Sequence, residues 1–183
     1  MPPRPRPGDI FEIPLEDGRL GYGQYVLYHR DPPRFGCLVR VFPGIHDTRP
    51  TDLGALTNVP EQFMTFYPLG TAVNQGLVTI VARPQLPEHL KAFPLFKVRC
   101  ARDQQTGRVK TWWLWDGQRE WPVPQLVEEH YSLPILEIIS HSVLVDRILR
   151  GWTPADEVDR PDKTRMNQTP PARVQRRHEA DNS

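Results

Sequence analysis

The chain has 183 residues, 38% of them hydrophobic, with 23 Lys+Arg against 22 Asp+Glu and a formal net charge of +1. That balance carries no global electrostatic footprint for nucleic acid or an anionic membrane surface, and no apolar run approaches the roughly 20 residues that cross a bilayer. The length suits one domain with a substantial core plus tails rather than two full domains.

In chain order, residues 1–7 alternate proline with arginine, the pattern of an extended polyproline-like arm. No apolar signal segment follows it, so cytoplasmic residence is the expectation. Residues 8–28, GDIFEIPLEDGRLGYGQYVLY, read as a β-hairpin. With Asp17-Gly18 as a two-residue turn, the register pairs Glu16 with Arg19, Leu15 with Leu20 and Ile13 with Tyr22. Phe11, Ile13, Leu15, Leu20 and Tyr22 then share one face, and Gly21 and Gly23 on the other face permit close approach by a strand or a partner. Asp31-Pro32-Pro33 breaks the chain before a strand over 35–42. Residues 43–60, rich in Gly, Pro, Thr, Asp and Asn, form a long connection of the kind that serves binding or packs on itself. Phe63, Phe66 and Tyr67 fall near helical spacing, limited to a turn or two by Pro68. LVTIVA, residues 77–82, reads as a central strand covered on both faces. A further strand over 93–100 places Phe96 and Val98 on one face and Lys97 and Arg99 on a wet one.

Asp116-Gly117 repeats the hairpin signature, pairing Trp112 with Trp121, Leu114 with Arg119 and Trp113 with Glu120. Trp112, Leu114, Arg119 and Trp121 share a face, and Trp113 and Trp115 occupy the opposite one, so the hairpin needs two covers: the core, and a helix or a partner. Residues 124–130 suit a short helix and 135–139 have strand composition. Ser142 is placed to cap an amphipathic helix over 143–150, whose Leu144, Ile148 and Trp152 form a stripe with Val145 and Leu149 beside it; Gly151 ends it. Residues 153–183 are polar with scattered prolines and are expected to be disordered, which leaves 8–152 as a single domain. The expected architecture is α+β: a strongly twisted, mainly antiparallel sheet with a few short helices, an SH3-like or barrel-like curl being one form it can take.

Catalytic and metal-binding patterns are not evident. His29, His46, His89, His130, His141 and His178 are scattered, and Cys37 and Cys100 lack the paired spacing of a zinc site, so no metal and no cofactor is expected. Glu128, Glu129 and His130 are adjacent and point in different directions on a helix. Cys37, inside an apolar strand, reads as an inert core thiol rather than a nucleophile. The tryptophans can stack bases or a sugar, although core packing is the plainer reading. The candidate partner-binding residues are Trp113, Trp115 and Arg119 of the second hairpin with His46, Asp47 and Arg49 of the 43–60 connection, because aromatic and arginine anchors dominate interface energetics.

The opening GDIFEIPLEDGRLGYGQYVL, followed at a distance by LVTIVA and KTWWLWDGQREW, resembles the Immunity protein 26 family of bacterial polymorphic toxin systems over roughly residues 8–122, and more loosely to 152. The resemblance implies a cytoplasmic antidote that binds and neutralises a cognate toxin domain, with no catalysis and no membrane or nucleic-acid partner. The proline–arginine arm and the long polar tail depart from that family's compact pattern. The same opening is similar to PemK-type endoribonuclease toxins, which are SH3-like barrels. Here GQYVLYHRDPP lacks the arginine expected before the next strand, a charge that an RNA-cleaving site needs for its anionic transition state. A Tudor- or SH3-like module binding peptide or nucleic acid through its aromatics is the third reading.

Overall fold

The first hairpin is β1 (Ile10–Pro14) and β2 (Leu20–His29), and its loop has three residues where the Asp-Gly signature predicts two. The Leu15 N–H donates to the Arg19 carbonyl at 2.9 Å and the Gly18 N–H to the Leu15 carbonyl at 3.0 Å, with Gly18 at φ +83. Phe11 therefore opposes Gly23, Glu12 opposes Tyr22 and Ile13 opposes Gly21. A one-residue slip moves every side chain of one strand to the other face, so Leu20 and Tyr22 leave the face of Phe11, Ile13 and Leu15. Packing selects this register. A Cβ on Gly23 would lie 2.5 Å from a ring carbon of Phe11, and one on Gly21 would lie 3.2 Å from Ile148. The glycines thus admit the chain's own core. Arg19 meets Asp17, 2.8 Å from Nε to Oδ2, instead of Glu16.

This computed structural model describes residues 4–158. β3 (Gly36–Val41), β4 (Phe63–Phe66) and β5 (Thr79–Ala82) complete a five-stranded antiparallel sheet in the order β4-β3-β2-β1-β5. β6 (Phe96–Arg102), β7 (Val109–Trp115) and β8 (Glu120–Val123) form a second antiparallel sheet, β6-β7-β8. Both sheets are open and neither closes into a barrel. Phe63–Phe66 is a strand, in place of the expected helical turn, because it pairs with β3 and buries all four residues. The helix α1 (Leu69–Asn74) begins only after Pro68. β5 is an edge strand where the apolar run predicts a central one.

One face of the larger sheet, with Phe11, Ile13, Tyr25, Val39 and Val41, packs on Leu69, Ala72 and Val73 of α1 and on Leu144, Val145 and Ile148 of α3 (His141–Leu149). Each such aliphatic or aromatic side chain contributes about 1.5–3 kcal/mol when fully buried. The helix starts earlier than expected because Ser140, in place of Ser142, accepts the Val143 N–H at 3.3 Å. The predicted stripe holds, except that Leu149 is exposed. The other face, with Ile10, Tyr22 and Phe42, lies under Leu53 and Leu56 of the 43–60 connection.

The second hairpin turns at Gly117–Gln118, one position beyond the Asp-Gly pair, with the Asp116 N–H donating to the Arg119 carbonyl at 3.2 Å. The Asp116 carboxylate accepts the N–H groups of Gln118 at 2.9 Å and Arg119 at 2.7 Å, and the displaced turn pairs Leu114 with Trp121, Trp112 with Val123 and Trp113 with Pro122. The two-residue shift keeps the predicted faces, but Trp112 and Trp121 are diagonal neighbours and Arg119 sits in the loop. The chain itself supplies both covers. Trp112 and Leu114 pack on Leu126, Ile135 and Trp152. Trp115 packs on Phe93, Phe96, Phe35 and the buried His29, with ring centroids 5.2–5.5 Å away. The short helix α2 (Glu128–Tyr131) lies between β8 and the next segment.

Residues 134–139 join the two sheets. The Lys97 N–H donates to the Pro134 carbonyl at 2.9 Å and the Leu136 N–H to the Lys97 carbonyl at 2.9 Å. On the other side the Phe66 N–H donates to Glu137 at 3.3 Å and the Ile139 N–H to Phe66 at 3.0 Å. These parallel bridges seal the outer edges of β6 and β4. The predicted wet face of β6 is closed as well. Lys97 is fully buried, its amino group donating to the carbonyls of Tyr131 at 2.6 Å and Pro154 at 2.8 Å. Arg99 grips Glu157 at 2.6 Å through both Nε and Nη2 and reaches Glu137 at 2.9 Å, while Arg147 holds Glu137 at 2.6 Å and lies 3.8 Å over the Trp152 ring. Order therefore continues past residue 152, through a 3-10 turn at Pro154–Glu157 to Val158. The rest of the expected tail, 159–183, and residues 1–3 of the arm lie outside the described residues.

Two expectations follow. Gly23→Ala forces its methyl into the Phe11 ring and should cost about 1–3 kcal/mol in urea unfolding, whereas Gly70→Ala, in α1 with open space around it, should be neutral or stabilising. Burial pushes the Lys97 ammonium from its ordinary 10.5 down to about 8, against the pull of Glu157. Below that pH the folded chain carries a charge in its interior and the group opposes folding; from there to 10.5 the unfolded chain binds the extra proton, so this contribution to stability rises with pH. Cys37 and Tyr67, both raised by burial, act in the opposite sense at high pH because the unfolded chain ionises them first. Urea titrations of the native chain and Lys97→Met at about pH 7 and about pH 10 isolate the lysine: the native chain should gain on the order of 1–3 kcal/mol relative to the variant.

Candidate functional site

The 43–60 connection is shaped by what lies beneath it. The Leu20 and His46 backbones exchange hydrogen bonds of 2.8 and 2.9 Å, pinning its first part to the start of β2. The Asp52 carboxylate accepts the Ala55 N–H at 3.1 Å and opens a 3-10 turn at Gly54–Asn58. Arg40 of β3, 1% exposed, rises from the sheet to donate to the Thr57 carbonyl at 3.2 Å, and its Nε and Nη2 hold the Gln24 amide oxygen at 2.9 and 2.6 Å. Its guanidinium also lies 4.8 Å over the Phe42 ring. An arginine this deep loses hydration and survives only when hydrogen-bonded, so the connection and the sheet stabilise one another.

A second cation is held from the side. Arg49 makes a bidentate pair with Glu12 of β1, Nε to Oε2 at 2.8 Å and Nη2 to Oε1 at 3.0 Å. The Tyr22 hydroxyl donates to the same Oε2 at 2.8 Å. The Arg49 hydrogen bond holds the Glu12 carboxyl below the usual carboxylate range against the effect of burial, and burial together with the Glu12 charge raises the Tyr22 phenol. His46 closes the group edge-on to Tyr22 at 5.3 Å. Arg49 keeps half of its side chain in solvent and is fixed in direction by a carboxylate that is nearly buried, the preorganisation that lowers the entropy lost on binding.

Above this lies an open groove of about 580 Å³ whose walls include Ile45, Asp47, Asp52, Leu56 and Val59. Val59 is 41% exposed. The lining offers apolar side chains, the His46 ring and the Asp47 and Asp52 carboxylates, while the Arg49 guanidinium is held beside it on Glu12. The Glu12 oxygens are committed to Arg49 and Tyr22, so the cluster is built as an anchor. Among the described residues no group of three or more His, Cys, Asp and Glu is placed to hold a metal ion, and no helix is long and apolar enough to cross a membrane.

The structure brings His46, Asp47 and Arg49 together and separates them from the tryptophan hairpin. Trp115 packs beside His29, at the end of β2 opposite Leu20 and His46, so ten strand residues, ~30 Å, divide the two clusters. Trp115 is buried, Trp113 half-buried and Arg119 exposed in the hairpin loop. Glu12, Tyr22 and Arg40, which hold the connection in place, are the residues that sequence reasoning does not single out. For Glu12 and Arg40 the local signal is a charge inside an otherwise apolar strand.

A family model described as Immunity protein 26 matches residues 6–107. The match takes in β1 to β6 and the whole groove, and stops short of the tryptophan hairpin. Comparison with curated proteins and with solved structures gives no match. Since the matched residues make up more than half of the chain, the protein belongs to the Immunity protein 26 family.

Proposed function

We propose that this protein neutralises a cognate toxin domain by binding it, in the cytoplasm and without chemistry of its own, through the 43–60 face. The observation that carries the reading is the groove flanked by a guanidinium that a nearly buried carboxylate holds in place, all within the residues matched by the family model. A fixed arginine beside exposed apolar surface has the composition of an interface anchor. His46, Asp47 and Arg49 are the proposed contacts. Trp113 and Arg119, at the far end of the larger sheet, are secondary candidates. The domain of residues 8–152 is the proposed acting unit.

The test is co-expression with the toxin domain encoded beside the gene. The intact protein should restore growth and co-purify with that domain. Val59→Asp and Asp47→Arg, both at solvent-facing positions, should each weaken binding by about tenfold or more, ~1.4 kcal/mol, with the melting temperature unchanged. Trp121→Ala, at an exposed position of β8, should bind normally. Loss of binding in Trp121→Ala alone would move the docking surface to the hairpin. RNA cleavage by the purified protein that disappears in Glu12→Gln would replace the binding reading with the ribonuclease one.

A further inference from the structure

The groove of the 43–60 face is charged in one sense only. Its lining contains the Asp47 and Asp52 carboxylates and neither a lysine nor an arginine. Both aspartates are exposed. One Asp52 oxygen accepts the Ala55 N–H at 3.1 Å, and the other has no hydrogen-bond partner among the described residues. Asp47 has no hydrogen bond or ion pair among them; its charge is felt by Arg19, which is itself hydrogen-bonded to Asp17 at 2.8 Å. The other cations nearby are matched in the same way. Arg49 lies on Glu12, and Arg40 is 4.0 Å from Glu61 and donates to Gln24 and Thr57. The chain as a whole has a formal net charge of +1, so the local excess of negative charge belongs to the groove and not to the composition.

Most of the remaining lining is apolar, with Ile45, Ala55, Leu56 and Val59 among it. A metal ion does not suit such a place, since among the described residues no group of three or more His, Cys, Asp and Glu is placed to hold one. A wholly apolar side chain suits it no better, because it would take the carboxylates out of water with nothing to pair them. A lysine or arginine meets both demands, laying its methylene stem on apolar surface and carrying its charge to a carboxylate. We infer, on the reading that this face binds the toxin domain, that the groove receives a lysine or arginine side chain of that domain, its charge met by Asp47 and Asp52 and its stem covering Leu56 and Val59. The partner is then basic where this surface is acidic, and their encounter is steered by charge.

Binding of the full chain to the toxin domain encoded beside the gene, measured over a range of salt concentrations, tests the inference. Asp47→Asn and Asp52→Asn each remove a charge and keep the shape, and an asparagine at 52 still accepts the Ala55 N–H. The double variant should keep the native melting temperature and lose about tenfold or more in affinity, mainly through slower association. Its affinity should also fall less steeply with salt than that of the native chain. Glu120→Gln, which removes the same kind of charge on β8, should bind as the native chain does. Replacing the exposed lysines and arginines of the toxin domain one at a time by glutamine should find one whose loss weakens the native complex and adds nothing in the double variant. A double variant that binds with native affinity would overturn the inference and leave the binding function standing. So would a loss shared by Glu120→Gln, or a scan in which no basic residue of the toxin domain couples to the aspartates. If the double variant misfolds, the same coupling is read on the two single variants. A native chain that does not bind the toxin domain at all would overturn the proposed function and this inference with it.

Discussion

Everything in this fold hangs on a short irregular segment with a hydrogen-bonded strand on each side. Residues 134–139 are paired to β6 at Lys97 and to β4 at Phe66, and that shared backbone ties the two open sheets together. The side chains reinforce the join. Glu137, on the joining segment, takes Arg99 from one sheet and Arg147 from α3, while Glu157 closes the ring from the C-terminal turn. These groups are only partly exposed. Removing a single member would strand its partner in a poorly hydrated place, at a higher cost than an exposed surface pair would show.

The groove shows an economy of a related kind. One face of the larger sheet is covered by two helices and the other by the connection that also forms the groove. A loop that serves only as a loop can be lengthened at little cost. This one is constrained, because the half-buried Leu53 and Leu56 pack against the core and Thr57 receives a buried arginine. Its backbone is held from below while Asp47 and Val59 face solvent.

Legibility in the sequence followed distance along the chain. The α3 stripe depends on residues three and four apart and was readable almost to its ends. Both Asp-Gly pairs marked real hairpin turns. The registers were missed because they were set elsewhere: the first by Phe11 lying over Gly23, the second by the Asp116 carboxylate capping two N–H groups. β5 has the composition of a buried strand and sits at an edge, since composition reports the faces of a strand and is silent about its sides. In the candidate site, the loop composition pointed to His46, Asp47 and Arg49. Glu12 is paired with an arginine 37 positions away, and Lys97 reads as solvent-facing because its acceptors at Tyr131 and Pro154 lie 34 and 57 positions away.

The joining segment also sets an order of events during synthesis. β4 is complete at Phe66, but the residues that cover its outer edge come 72 or 73 positions later, at Ile138 and Ile139. At elongation rates of roughly 5–20 residues per second that is a delay of roughly 4–15 s. Through that interval the nascent chain carries an apolar strand with a bare side, and Lys97 and Arg99, once made, have yet to meet partners at Glu137, Pro154 and Glu157. A ribosome that stalls after the sixth strand would release a chain containing the whole groove and lacking the piece that keeps it folded.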